Sequence, residues 1–74
     1  MKAAVEAAVF FVNDQPQPLA AGTTLAAVLA GLGLAERKGV AAAVNGAVVP
    51  RAGWTARGLE SGDRVLVIRA TQGG

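Results

Sequence analysis

The sequence predicts a small α+β domain in which one main helix packs across a mixed sheet, in the order β-β-α-β-β-β. Apolar, β-branched segments lie near both ends, at Val9–Val12 and at residues 65–68, and each is typical of a buried strand. Between them lie one stripe of apolar residues at helical spacing and an Asn45-Gly46 pair flanked by apolar runs. The length of 74 residues indicates one domain, over residues 1–74.

The first third of the chain predicts a β-hairpin. Residues 1–8 are alanine-rich without a turn signal, so they are either an N-terminal extension or a lengthening of the first strand. Val9–Val12 is the first strand, and residues 13–16, Asn-Asp-Gln-Pro, are typical of a turn. Residues 17–20 are expected to return as a short antiparallel partner, which Pro18 confines to a sheet edge because proline donates no backbone hydrogen bond.

The helix is predicted over residues 24–32, with Thr23 as the best capping candidate. Gly31 and Gly33 mark its C-terminal end. So short a helix is marginal alone and must be stabilised by packing on the sheet. The apolar stripe available for that packing consists of Leu25, Val28, Leu29 and Leu32.

The next segment predicts a second hairpin. Val40–Val44 reads as a strand, and Ala47–Val49 as its partner. Asn45 and Gly46 favour the two-residue turn between them, because both positions need a positive φ. Pro50 ends the second strand. We interpret the Asn-Gly pair as a turn without a further role.

The last segment completes the sheet. Residues 51–59 are irregular and contain Trp54, which we expect to fill the core. Residues 64–70 form the last strand. Because the first and last strands are both strongly apolar, we expect them to be buried on both faces and paired in parallel at the sheet centre. That topology is the ubiquitin-like β-grasp.

Composition excludes several classes of protein. There is no cysteine and no histidine, so disulfides and zinc sites built from these residues are excluded. Seven Lys and Arg against five Asp and Glu give a net charge of +2. Only Arg37 and Lys38 are adjacent, which does not favour a nucleic-acid partner. Glu6 interrupts the apolar N-terminal stretch, so we expect no signal peptide, no membrane partner and a cytoplasmic location.

The residue inventory does not favour an enzyme. The usual general base and the thiol nucleophile are both missing. The five carboxylates show no spacing typical of a general acid/base pair, and no G-x-G-x-x-G or Walker A motif is present. We therefore expect a chain that is acted upon or that binds a partner.

The C-terminal stretch offers a reactive group. An apolar strand leads through Arg69 to the pair Gly73-Gly74. Glycine has no Cβ, so such an arm can enter a narrow active site on another protein. The α-carboxylate at its tip has a reference pKa of about 3.3–3.7 and is ionised at neutral pH. The alternative is an ordinary frayed terminus.

Three stretches of the chain form a combined pattern: Phe11-Val12-Asn13-Asp14; Val44-Asn45-Gly46 with Val49-Pro50-Arg51 and Trp54; and Gly62-Asp63-Arg64-Val65 with the terminal Gly73-Gly74. Together they resemble the sulfur carrier proteins of thiamine thiazole biosynthesis, the ThiS-like family. The resemblance extends from Val9 to Gly74, and the alanine-rich residues before Val9 depart from it.

This resemblance implies a mechanism and partners. An E1-like adenylating enzyme would activate Gly74 with ATP, a sulfur donor enzyme would supply the sulfur, and a thiazole synthase would accept it from the resulting thiocarboxylate. The chain itself would bind no cofactor and would be a monomer when alone. Arg51 and Arg69 are candidate partner-binding residues, although Arg51 reads mainly as structural. We expect a flexible tail over residues 71–74. Within it, Thr71, Gln72 and Gly73 are expected to line the partner's entry channel.

Three alternatives remain open on the sequence. The molybdopterin synthase small subunit shares fold, tail and activation chemistry, but it usually has a longer chain and a different approach to the diglycine. The short chain and the Val-Pro-Arg-x-x-Trp pattern seen here favour the thiazole pathway. The second is a sulfur carrier for another pathway or a protein-conjugating modifier. The third, of a different class, is a β-grasp module that binds RNA or protein and has an inert tail.

Overall fold

The computed structural model describes residues 8–69, which form a five-stranded mixed sheet and one α-helix. The strand order is β2-β1-β5-β3-β4. The first and last strands are parallel neighbours, as predicted, and the other pairs are antiparallel. The β-grasp prediction is confirmed. The elements are β1 (Val9–Val12), β2 (Gln15–Pro18), α1 (Leu25–Gly31), β3 (Val40–Val44), β4 (Ala47–Val49), a 3₁₀ helix (Arg51–Gly53) and β5 (Arg64–Arg69).

The first hairpin is tighter than predicted. Its turn consists only of Asn13 and Asp14, whose φ angles are 49° and 72°. A two-residue turn of this kind matches the twist of the flanking strands. As a result β2 begins at Gln15, two residues earlier than the predicted return strand, which is a correction. The edge position expected for Pro18 is confirmed.

The helix cap is Thr24, not Thr23. Thr24 has extended backbone angles, and its Oγ1 accepts a hydrogen bond from the backbone N of Ala27 at 3.1 Å. Thr23 instead donates its hydroxyl to the Ala20 carbonyl at 2.7 Å, so it closes the preceding turn. Helix α1 therefore spans Leu25–Gly31, one residue less at each end than predicted. Within residues 8–69, no helix is long and apolar enough to cross a membrane.

The core lies between α1 and the face of the sheet that α1 covers, here called the inner sheet face. Leu25 and Leu29 of the helix are fully buried. Trp54 is also buried, and its Nε1 donates to the Val49 carbonyl at 2.9 Å, so this tryptophan fills the core as predicted. The remaining core side chains are Phe10, Val12, Ala42, Val44, Leu59 and Val65.

The opposite face of the sheet is open. Side chains of β5 alternate between the two faces of the sheet. Val65 is buried, whereas Leu66 is 50% exposed and Ile68 is 52% exposed. The expectation that the central strands are buried on both faces is wrong. The reason is that helix α1 covers the inner sheet face, and nothing in the described part of the chain covers the other.

Candidate functional site

The candidate reactive group lies at the end of the chain, and the structure describes the support that leads to it. Gly74, together with Thr71, Gln72 and Gly73, lies outside the described residues, so the roles given to them stay predictions. The described chain ends at Arg69, the exposed last residue of β5. The geometry of the site is therefore that of β5 and of the surfaces on either side of it.

Strand β5 is held by β3 up to its last residue and by β1 near its start. On one side, β3 pairs with it from Val40 opposite Arg69 to Val44 opposite Val65. On the other side, the backbone N of Asn13 donates to the Val65 carbonyl at 2.8 Å, and the backbone N of Phe11 donates to the Asp63 carbonyl at 2.9 Å. The tail therefore begins from a strand whose position is fixed up to its last residue.

Two asparagines in hairpin turns add side-chain hydrogen bonds to β5. The Oδ1 atom of Asn13 accepts from the backbone N of Val67 at 2.8 Å. The Oδ1 atom of Asn45 accepts from the backbone N of Arg64 at 2.9 Å. Asn45 has the positive φ expected of its turn, but the prediction that it acts only as a turn is incomplete. These contacts fix the register of the central strand.

Asp63 is buried at the start of β5 and completes this support. Its Oδ1 accepts from Asn45 Nδ2 at 3.0 Å, and its Oδ2 accepts from the backbone N of Glu60 at 2.8 Å. Burial acts to raise the pKa of Asp63, but these two hydrogen bonds and the nearby positive charge of Arg57 outweigh it. The pKa of this carboxyl is therefore lowered from its ordinary value.

We expect Asp63 to contribute to the acid sensitivity of the fold. A carboxyl whose pKa is lower in the folded chain stabilises the fold above its unfolded pKa, about 3.9, and this contribution is lost as the pH falls through the folded pKa. Asp63→Asn should therefore be less stable at pH 7 and should lose less stability on acidification. Urea unfolding of both proteins from pH 7 down to pH 2 measures this difference.

Asp14→Asn is the matched control, because Asp14 is exposed and its ion pair with Arg64, at 3.9 Å, is too exposed to contribute much. This control should follow the wild-type pH dependence closely. If wild type and Asp63→Asn lost the same free energy of unfolding between pH 7 and pH 2, the role given to Asp63 would be contradicted.

The open side of the sheet carries an apolar surface, here called the outer sheet face. Residues opposite one another in register share a face, and the register pairs Leu66 with Ala43 and Ile68 with Ala41. Val48 of β4, 72% exposed, is opposite Ala43 and extends the surface. Leu66, Ile68 and Val48 are thus exposed large apolar side chains on one face, and we take this face as the candidate docking surface.

A cation borders the outer sheet face at the start of β5. Arg64 is opposite Phe11 in register, and its guanidinium carbon lies 5.6 Å from the centre of the Phe11 ring. The aliphatic stem and the ring extend the apolar surface, while the charged head stays in solvent.

The two candidate partner-binding arginines lie in different surroundings. The Arg51 guanidinium donates to the backbone carbonyls of Ala35 and Arg37 and lies 4.6 Å from the centre of the Trp54 ring. Arg51 therefore fastens the loop between α1 and β3 to the core. Arg69 is exposed at the end of β5. A partner contact by either residue stays a prediction.

Comparison with known proteins identifies the family. Residues 9–74 match the model of the ThiS family. The chain belongs to the ThiS family. It is 36% identical over 62 residues to the sulfur carrier protein ThiS of Escherichia coli K12, which covers 84% of this chain and 92% of that protein.

A solved ThiS structure supports the same conclusion. The crystal structure of the thiamine biosynthesis protein ThiS from Geobacter metallireducens superimposes with a TM-score of 0.71 at 25% identity, covering 89% of this chain and 99% of that one. The resemblance drawn from the sequence is thus confirmed. ThiS proteins are small sulfur carriers that work with partner enzymes and are not enzymes themselves, as predicted for this chain.

Proposed function

We propose that this ThiS-family chain carries sulfur as a thiocarboxylate on Gly74 and donates it to the thiazole ring of thiamine. The observation that carries the proposal is the family match over residues 9–74, which includes the Gly73-Gly74 pair. Support for the pathway comes from the two relatives, one named a sulfur carrier and the other a thiamine biosynthesis protein. These names favour thiazole over molybdopterin synthesis.

The chemistry proceeds in two substitutions at the tail. In the active site of an adenylating enzyme, a carboxylate oxygen of Gly74 attacks the α-phosphorus of ATP, and pyrophosphate leaves. A hydrosulfide ion, supplied by the sulfur donor, then attacks the carbonyl carbon of the acyl-adenylate and forms the new carbon–sulfur bond. AMP leaves with one of the original carboxylate oxygens, so sulfur takes its place. A thiazole synthase is the acceptor of this sulfur. ATP is the partner's substrate, and the carrier binds no cofactor.

The fold presents the tail at a defined distance from the domain. Strand β5 fixes the chain up to Arg69, and five residues follow it. Fully extended, five residues span at most about 18 Å. The partner's reactive centre therefore lies within that distance of the carrier surface, and Thr71, Gln72 and Gly73 contact the walls of the channel between them.

The outer sheet face docks the partners. We expect Leu66→Asp to weaken binding to the adenylating enzyme by about tenfold or more, because it places a charge at the centre of an apolar interface. The melting temperature should change little, since Leu66 is half exposed. Isothermal titration calorimetry with the adenylating enzyme measures the dissociation constant.

Thr55→Asp is the control for this variant. It changes the net charge by the same amount at an exposed position in the irregular segment before β5. It should bind like the wild type. Equal affinity of the Leu66→Asp and Thr55→Asp variants would show that partners dock elsewhere.

Intact mass tests the proposed function. The chain is incubated with ATP, its adenylating enzyme and sodium sulfide, and we expect a shift equal to one oxygen replaced by sulfur. An unchanged mass, with an enzyme shown to be active on another carrier, would overturn the proposal. Rescue of a thiamine auxotroph, without rescue of a molybdenum-cofactor mutant, tests the pathway; the reverse pattern would contradict it.

A further inference from the structure

A groove runs along the inner sheet face beside the end of β5, between the sheet and the C-terminal end of helix α1. Helix α1 has only seven residues, so it leaves this end of the sheet uncovered. The groove, about 1170 Å³ in volume, is open to solvent along its length, as a groove that receives a polypeptide segment must be. Its apolar lining includes Val28, Leu32, Val40 and Val67.

The rim of this helix–sheet groove is positively charged. Arg37, Lys38 and Arg69 all line it, and none of the described lining residues is a carboxylate. Glu36 belongs to the same loop but is not among the lining residues. An apolar floor with a cationic rim is complementary to a segment that carries both apolar and acidic side chains.

The backbone of the loop that carries Arg37 and Lys38 is held by hydrogen bonds from Arg51. Arg51 donates to the carbonyls of Ala35 and Arg37, which fixes the backbone of the loop. Arg51 is in turn packed against the buried Trp54 ring. A rim whose backbone is already ordered loses less entropy when a partner binds.

We propose that the helix–sheet groove receives an acidic segment of the adenylating enzyme, at the mouth of the channel that accepts the tail. This inference rests on the proposed function. Arg69 lines the groove and is also the last described residue before the tail, so an enzyme that encloses Gly74 approaches to within about 18 Å of this rim. The enzyme thereby contacts β5 from both sides, with apolar residues on the outer sheet face and carboxylates in the groove.

The test measures the dissociation constant of the adenylating enzyme for charge-reversed carriers. Lys38→Glu and Arg37→Glu should each bind about 5- to 20-fold more weakly at low ionic strength, and the difference should shrink in high salt because screening weakens the charge pairs. Neither variant disturbs the Arg51 contacts, which reach backbone atoms. The double variant Thr55→Asp/Ala56→Asp is the matched control, because it changes the net charge by the same two units at exposed positions outside the groove; melting curves establish that all three variants are folded.

The outcomes separate this inference from the proposed function. If the wild type gains sulfur but Lys38→Glu binds as tightly as the Thr55→Asp/Ala56→Asp control, the inference is overturned while the function stands. A wild type that neither gains sulfur nor binds the enzyme overturns both. Tighter enzyme binding by Lys38→Glu would mean that the rim instead holds the carrier's own terminal carboxylate. If the wild type bound a single-stranded polyuridine probe at physiological salt and Lys38→Glu did not, the rim would be assigned to RNA and the inference would be overturned.

Discussion

A chain lacking Gly74 is expected to fold like the full-length protein and to gain no sulfur. The truncated chain still ends in a glycine carboxylate, so the chemical group is unchanged and only its reach is altered. Removing one residue withdraws the carboxylate by about 3.5 Å. A displacement of even about 1 Å from the productive position can lower a reaction rate about 100-fold. The mass shift should therefore disappear over the time in which the wild type reacts completely.

The substitution Gly74→Ala distinguishes the effect of tail length from the effect of steric bulk beside the carboxylate. It keeps the chain length and adds one methyl group beside the reacting carboxylate. We expect slower sulfur gain than in the wild type, but faster than in the truncated chain. Sulfur gain by the truncated chain at the wild-type rate would contradict a reaction at Gly74, and the melting curves of all three proteins should coincide.

Trp54→Ala is expected to lower the free energy of unfolding by about 3–5 kcal/mol, the range for loss of a buried aromatic side chain. Trp54 is 3% exposed, and Arg51 packs on its ring, so the substitution leaves a cavity and also frees the loop between α1 and β3. Small domains have stabilities near the lower end of about 5–15 kcal/mol. The variant should therefore be partly unfolded at 37 °C, as urea denaturation will measure.

Trp54→Phe provides the comparison. Phenylalanine keeps most of the buried apolar area but loses the hydrogen bond from Nε1 to the Val49 carbonyl. We expect a smaller loss, about 1–3 kcal/mol, from the unsatisfied carbonyl and the reduced volume. Equal losses for both variants would show that the hydrogen bond, and not the packing of the ring, accounts for the role of Trp54.

The strands and both hairpins could be predicted because their signals are local. Val9–Val12 and Val40–Val44 are apolar runs bounded by turn residues, and Asn45-Gly46 fixes its turn by conformation alone. The helix cap was misassigned because two threonines stand side by side, and their backbone angles decide which of them caps. The start of β2 was misassigned because Gln15 and Pro16 resemble turn residues but pair with β1.

The surfaces could not be predicted, because they depend on contacts between distant residues. An apolar run such as residues 65–68 does not reveal whether one face of its strand or both will be covered. Lys38 and Arg69 are far apart in the sequence, and they line the same groove because the register places Val40 opposite Arg69. The sequence did point to Gly74 and its neighbours in the tail, which lie outside the described residues, so their roles stay predictions.

The position of β5 has a mechanical consequence. An enzyme that draws the tail into its active site pulls on β5 along the strand axis. Hydrogen bonds to β1 and β3 lie across that axis on both sides, so the pull would shear many bonds at once and could not unzip them singly. An edge strand pulled in the same way is held by the hydrogen bonds of one neighbour only. A carrier built this way can be engaged and released through many cycles without unravelling from its reactive end.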